Sequence, residues 1–182
     1  MRLYRQTVED FGIYSGLELT DEEMAKLTEA AGQMSAKMRA VRIISASGVT
    51  KRELEHRLVQ KGENPQQAKE AVSWLSEMDL IDDEKTACQI VERCIAKGYG
   101  LVRAKQALYE KRVPKHLWED ALADYPSQEN HILSYLENHP EIREDRKARD
   151  RAVNALLRRG HTYSEIRRGM EELSLQMEET DG

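Results

Sequence analysis

Three stretches of this chain repeat one another, and the repeat limits what the chain can fold into. Leu58, Leu108 and Leu156 stand fifty and then forty-eight positions apart. Four places before each is a small or apolar residue, Leu54, Ala104 or Ala152. Three places after each is a base, Lys61, Lys111 or Arg159. A period of this size indicates a row of small helical units, each burying its apolar face against its own helices and its neighbours.

What surrounds the three stretches matches as well. After a short break, Ala68/Val72/Leu75, Trp118/Leu122/Tyr125 and Ile166/Met170/Leu173 each mark one face of a further helix. A preceding helix is predicted over 34–46, 84–96 and 128–138. Pro65 and Pro114 stand near helix starts, where a missing N–H costs nothing, and Gly62 and Gly160 stand just past helix ends. Thr50 is placed to cap the second helix of the first unit, and Asp82 or Asp83 the first helix of the second. Thr20 and Glu23 fit a capping box for a short helix from 21 to about 31, after a loop over 11–19.

These spacings predict an all-α chain of three tandem three-helix repeats forming an elongated, curved helical array. The lead-in covers 1–33, the repeats 34–79, 80–125 and 126–175, and a disordered acidic tail 176–182. With 40% hydrophobic and 34% charged residues, one Phe and two Trp, the core must be thin and aliphatic. The apolar residues nonetheless recur at helical spacing, which separates the chain from a disordered one. Each repeat buries its own apolar face, so a monomer is expected. No apolar run approaches the ~18 residues that would span a bilayer, no signal-peptide core follows the start, and a cytoplasmic location is expected. Cys88 and Cys94 lie six apart, a spacing for neither a CxxC pair nor a local disulfide, and are expected to be reduced.

The most specific residues are Leu80-Ile81-Asp82-Asp83, then Ala87, Val91 and Arg93, then Gly98-Tyr99-Gly100-Leu101-Val102-Arg103, then Leu108, Lys111 and Val113. This pattern of two acids, a following alanine, a G-x-G turn, and a leucine followed by a base resembles the RecX family of bacterial regulators of the RecA recombinase. The similarity runs from about Met34 to Leu173. Thr86 stands where that family usually has an aromatic residue, and Arg112 where glycine is common. The resemblance implies a protein of DNA repair and recombination that binds the RecA–DNA filament, inhibits its ATPase and strand exchange, and touches single- or double-stranded DNA within it.

The residues themselves offer little catalytic chemistry. Gly98-x-Gly100 has no preceding strand and no third glycine, so it reads as a turn and not as a dinucleotide fingerprint. Asp82-Asp83 reads as helix capping. His56, His116, His131, His139 and His161 are scattered through different units without metal-ligand spacing, and no nucleophile stands beside a base. No enzyme activity, cofactor or metal is expected.

Charge is the stronger signal. The net charge is −5, yet between Glu141 and Arg168 nine bases (among them Arg143, Arg146 and Arg149) face five acids. A basic run is usually a solvated helix face. Here bases recur in like regions of successive second helices, and stacked units could line them along one groove suited to an acidic protein surface or to phosphates. The candidate partner-binding residues are Arg57, Lys61, Lys97, Arg103, Lys105, Lys111, Arg151, Arg158 and Arg159. The alternative is a helical-repeat protein that binds nucleic acid directly, with 49–61 as a helix-turn-helix. The repeated features are packing residues and generic charge, not a base-reading helix, which favours the filament regulator.

Overall fold

A computed structural model of the chain describes residues 3–142 and 144–180, with side chains described through 174. Among these residues there are ten α-helices, two 3-10 turns and no strand. The chain divides into two compact units, Met1–Thr86 and Ala87–Gly182.

The first unit contains α1 (Arg5–Asp10), α2 (Asp21–Ala46), α3 (Lys51–Gln60) and α4 (Pro65–Glu77). Its core joins Ala36 and Ala40 of α2, Leu54 and Leu58 of α3, and Ala68 and Leu75 of α4. Small residues on α2 let the other two helices come close, and each buried leucine contributes roughly 1.5–3 kcal/mol of transfer free energy. The capping box at Thr20 and Glu23 forms as expected. The helix it opens does not stop near 31, however, but runs unbroken for 26 residues, so the expected boundary at 33/34 falls inside α2. No proline interrupts 21–46, and Gly32 costs a helix interior only about 1 kcal/mol. In return, the bare Cα of Gly32 admits the Gln67 side chain of α4 against the α2 backbone. The six-residue α1 has no side-chain cap and was not foreseen.

The two adjacent acids cap different helices. Asp83 Oδ1 accepts the N–H of Lys51 at 2.8 Å, and Asp82 Oδ1 accepts the N–H of Lys85 at 3.0 Å. Thr50 Oγ1 accepts from the N–H of Glu53 at 3.2 Å. These bonds satisfy N–H groups that a helix start leaves without intrahelical partners.

From α5 (Asp83–Ala96) the chain enters the second unit. There α6 (Leu101–Glu110), a 3-10 turn (Lys115–Leu117) and α7 (Trp118–Leu122) follow. Their core holds Ala87, Val91, Leu108 and Val113, with Trp118 and Leu122 packed on it. The helix expected from 114 thus begins as a 3-10 turn, and Trp118 Nε1 donates to the carbonyl of Val113 at 3.0 Å. Next come α8 (Glu129–Glu137), a 3-10 turn (Pro140–Ile142), α9 (Arg146–Arg158) and α10 (Tyr163–Thr180). Ile132, Leu136, Ala152, Leu156, Ile166 and Leu173 form their core. Where an irregular tail was expected from 176, α10 continues to Thr180; Asp181 and Gly182 lie outside the described residues.

The three second helices end in one and the same way. The N–H groups of Glu63, Val113 and His161 bond back to the carbonyls of Leu58, Leu108 and Leu156 at 3.1, 3.0 and 3.2 Å. Those of Gly62, Arg112 and Gly160 bond to Val59, Tyr109 and Leu157 at 2.9 Å each. This is the double bond pattern of a Schellman helix end, which needs a left-handed residue at its turn. Gly62 and Gly160 supply it with φ of 89° and 87°, and Arg112 takes φ 54° in the same place. The residue after the turn is buried every time: Glu63, Val113 and His161. That slot suits valine, so the glutamate and the histidine placed there each need a polar partner.

Candidate partner-binding site

Arg57 and Lys61 lie on the last turn and at the end of α3, in the first unit. Arg57 is half-buried and its Nε meets Glu53 Oε1 at 2.7 Å, one helical turn back. Lys61 is exposed. The other seven candidates belong to the second unit.

Within that unit the turn between α5 and α6 abuts the turn between α9 and α10. The N–H of Gly100 donates to the carbonyl of Arg159 at 2.9 Å. A methyl group on Gly100 would strike the Gly160 carbonyl, and one on Gly160 would strike the Arg103 backbone. Gly100 has an ordinary φ of −73°, so the glycine serves close approach there. Of the pair read as a flexible turn, only Gly98 has positive φ, at 63°.

Side chains lock the same junction. His161, 3% exposed, donates from Nε2 to the carbonyl of Gly98 at 3.0 Å. Tyr125 donates its hydroxyl to the carbonyl of Tyr99 at 2.6 Å. Burial pushes the Tyr125 phenol up to about 12 and holds the His161 imidazole below its ordinary range, against the opposing pull of the Gly98 carbonyl. Burial likewise raises the Cys94 thiol nearby; both cysteines are free, Cys94 buried and Cys88 exposed.

The junction brings bases from two repeats to one end of the unit. Arg103 starts beside Gly160, and its Nη1 meets Glu110 Oε1 at 3.0 Å, a hydrogen bond that raises its affinity for the proton further. Arg159 lays its guanidinium 4.7 Å from the centre of the Tyr135 ring. Lys97 reaches the Tyr99 ring at 6.0 Å. Arg158 is exposed, and Arg151, two turns earlier on the same face of α9, makes a long pair with Asp145 at 3.6 Å. Lys105 and Lys111 are exposed on and just after α6. Arg143 of the basic run lies outside the described residues.

Recurrence of a base at Lys61, Lys111 and Arg159 has a structural cause besides any partner. Each closes a helix, where a cation meets the negative end of the dipole. Arg158 too stands on the last turn of α9, whereas Lys105 lies in the middle of α6 and has no such role; the side chain of neither makes an ion pair or hydrogen bond among the described residues, and both are exposed. The locking residues His161, Tyr125 and Tyr135 were not singled out from sequence as functional. Only the position of His161 after Gly160, matching Val113, signalled that it would be buried.

Residues 82–122, covering α5 to α7, match the family described as RecX, second three-helix domain. A regulatory protein RecX from Vibrio parahaemolyticus is 28% identical over 140 residues, spanning 75% of this chain and 90% of its own. One from Caldanaerobacter subterraneus is 30% identical over 118 residues, 64% of this chain and 60% of its own. The chain is similar to the RecX regulatory proteins over most of its length. The RecX fold agrees: the crystal structure of RecX from Lactobacillus salivarius superposes with a TM-score of 0.68 at 24% identity, over 80% of this chain and 99% of that one. RecX relatives carry the name of regulatory proteins, and no helix here is long and apolar enough to cross a membrane among the described residues.

Proposed function

We propose that the chain is a cytoplasmic, monomeric regulator that binds the RecA–DNA filament and inhibits the recombinase. Similarity to regulatory proteins named RecX supports a regulatory role, and the resemblance of the Asp82–Val113 pattern to regulators of RecA supports this partner. The observation that carries the reading is the backbone junction between the Gly100 and Gly160 turns. It groups Lys97, Arg103, Arg158 and Arg159 from two repeats on a fixed frame, and a rigid cluster of cations loses little entropy when it meets an acidic surface or phosphates. The inhibitory sense comes from the resemblance.

The test is ATP turnover by DNA-bound RecA with the purified chain added. Turnover should fall as the chain is titrated in. Unchanged turnover together with equal binding to bare DNA would make direct nucleic-acid binding the better reading.

A further inference from the structure

We propose that the cleft between α2 and the α3–α4 turn, in the first unit, binds a small phosphate-bearing ligand of nucleotide size. The cleft encloses about 510 Å³, within the ~300–1,000 Å³ of small-molecule sites. Thr28, Ser35, Arg39 and Arg42 line it from α2, and Asn64 and Gln67 from the opposite wall.

Its chemistry starts from the buried slot after the first Schellman turn. Valine fills that slot in the second repeat, but here it holds Glu63, whose side chain is only 7% exposed. Glu63 Oε1 accepts from Arg39 Nε at 2.6 Å and from Ser35 Oγ at 3.0 Å. The carboxylate is thus turned onto Arg39 and fixes the plane of its guanidinium. The bond uses Nε, so both Nη groups of Arg39 remain unspent in hydrogen bonds among the described residues. Arg42 follows one helical turn later on the same wall. It is exposed and has no ion pair or hydrogen bond among the described residues.

One guanidinium locked in place and a second one free, both bordering a polar cleft, match the forked, doubly charged acceptor that a terminal phosphate presents. A carboxylate has two oxygens and one charge; a phosphate monoester has three oxygens and nearly two charges, enough for both arginines. Beyond the arginines and the Glu63 carboxylate held on Arg39, the lining offers the hydroxyls of Thr28 and Ser35 and the amides of Asn64 and Gln67, with Tyr4 and Ala31 beside them, suited to a sugar and the edge of a base. None of the nine candidate residues for filament binding lines this cleft, so the inference stands apart from the recombinase reading.

Calorimetric titration of the full chain with inorganic phosphate, with deoxyadenosine triphosphate, and with the triphosphate in competition against a short thymidine oligonucleotide tests it. Phosphate and the triphosphate should bind saturably, and Arg42→Gln should weaken both about tenfold, the loss of one charge-assisted hydrogen bond. Lys69→Gln, the same charge change outside the cleft, should leave binding unaltered. Displacement of the triphosphate by the oligonucleotide would show that the site takes the singly charged phosphodiester of DNA and would overturn the small-ligand reading; no displacement would support it. In the unmutated chain, the Arg39 and Arg42 side-chain Nε–H resonances should shift during the titration. Absence of saturable binding by phosphate or the triphosphate, equal affinity in Arg42→Gln, or shifts confined to other arginines would overturn the proposal.

Discussion

His161 Nε2 donates to the carbonyl of Gly98 at 3.0 Å, joining two turns that lie 63 positions apart in the chain. The bond fixes the neutral tautomer with the proton on Nε2 and leaves Nδ1 buried without a hydrogen-bond partner. A second proton would therefore have to sit on a buried nitrogen with no acceptor. Arg159 and His131 nearby disfavour that charge, and Glu165 favours it.

The folded state should consequently lose stability in mild acid. The His161 pKa is lowered from 6.5 by folding, so the unfolded chain takes up its proton first as pH falls. Stability is fully present above the unfolded pKa and declines as pH drops through it toward the folded pKa. The slope is at most about 1.4 kcal/mol per pH unit for one proton. Denaturant unfolding at several pH values should show the decline, and His161→Gln, which keeps a donor for Gly98 but cannot titrate, should flatten it. An equal slope in the two proteins would remove His161 as its source.

Gly100→Ala should destabilise the second unit by about 1–3 kcal/mol, the usual cost of forcing an extra methyl into a packed place. The obstacle is the Gly160 carbonyl, a backbone group that cannot swing aside. Thermal unfolding checks the loss. Gly62→Ala is the comparison: nothing lies within 4 Å of its added methyl, so its cost is only that of φ at 89°.

Arg112→Gly should stabilise the chain by up to ~1 kcal/mol. Arg112 is the one residue of the three equivalent Schellman turns that holds positive φ with a side chain, and left-handed backbone costs an L-residue roughly 1–2 kcal/mol relative to glycine. The gain is reduced by glycine's greater freedom in the unfolded chain and by whatever contact the arginine side chain makes. Chemical denaturation of the two proteins measures the difference, and a clear loss of stability would contradict it.

Lys105→Glu with Arg158→Glu should relieve inhibition of RecA and leave the circular dichroism spectrum unchanged. Both side chains are exposed, so neither stabilises the fold appreciably. At an acidic partner, each reversal should cost about a kilocalorie or more. The pair is a sharper probe than one including Arg159, whose contact with the Tyr135 ring carries ~0.5–1 kcal/mol of its own. Added salt should weaken binding by the unmutated chain, and full inhibition by the double variant would move the contact surface elsewhere.

Much of the fold was legible because the equivalent positions are buried. Leu58, Leu108 and Leu156 are all fully buried, as are Leu54 and Ala104, with Ala152 nearly so. Apolar spacing reports burial directly. It says little about where a polar helix ends, which is why the joining of 21–31 to 34–46 across Gly32, and the short polar α1, were missed. The candidate site was legible only as charge. The frame that orders it rests on backbone contact between Gly100 and Gly160 and on His161, and a contact between two glycines leaves no trace in hydropathy.

That contact also bears on where this chain could be cut. Ending it after Tyr125 would remove the acceptor of the Gly100 N–H and the donor to the Gly98 carbonyl, exposing a turn shaped to lie against another. The fragment 126–182 would in turn lose what covers Gly160 and His161. The last two repeats look separable in sequence, yet mechanically they are one piece, and a shortened version that keeps its fold should end just after the first unit, no earlier than Thr86, so that Asp83 still caps α3, or not be shortened at all.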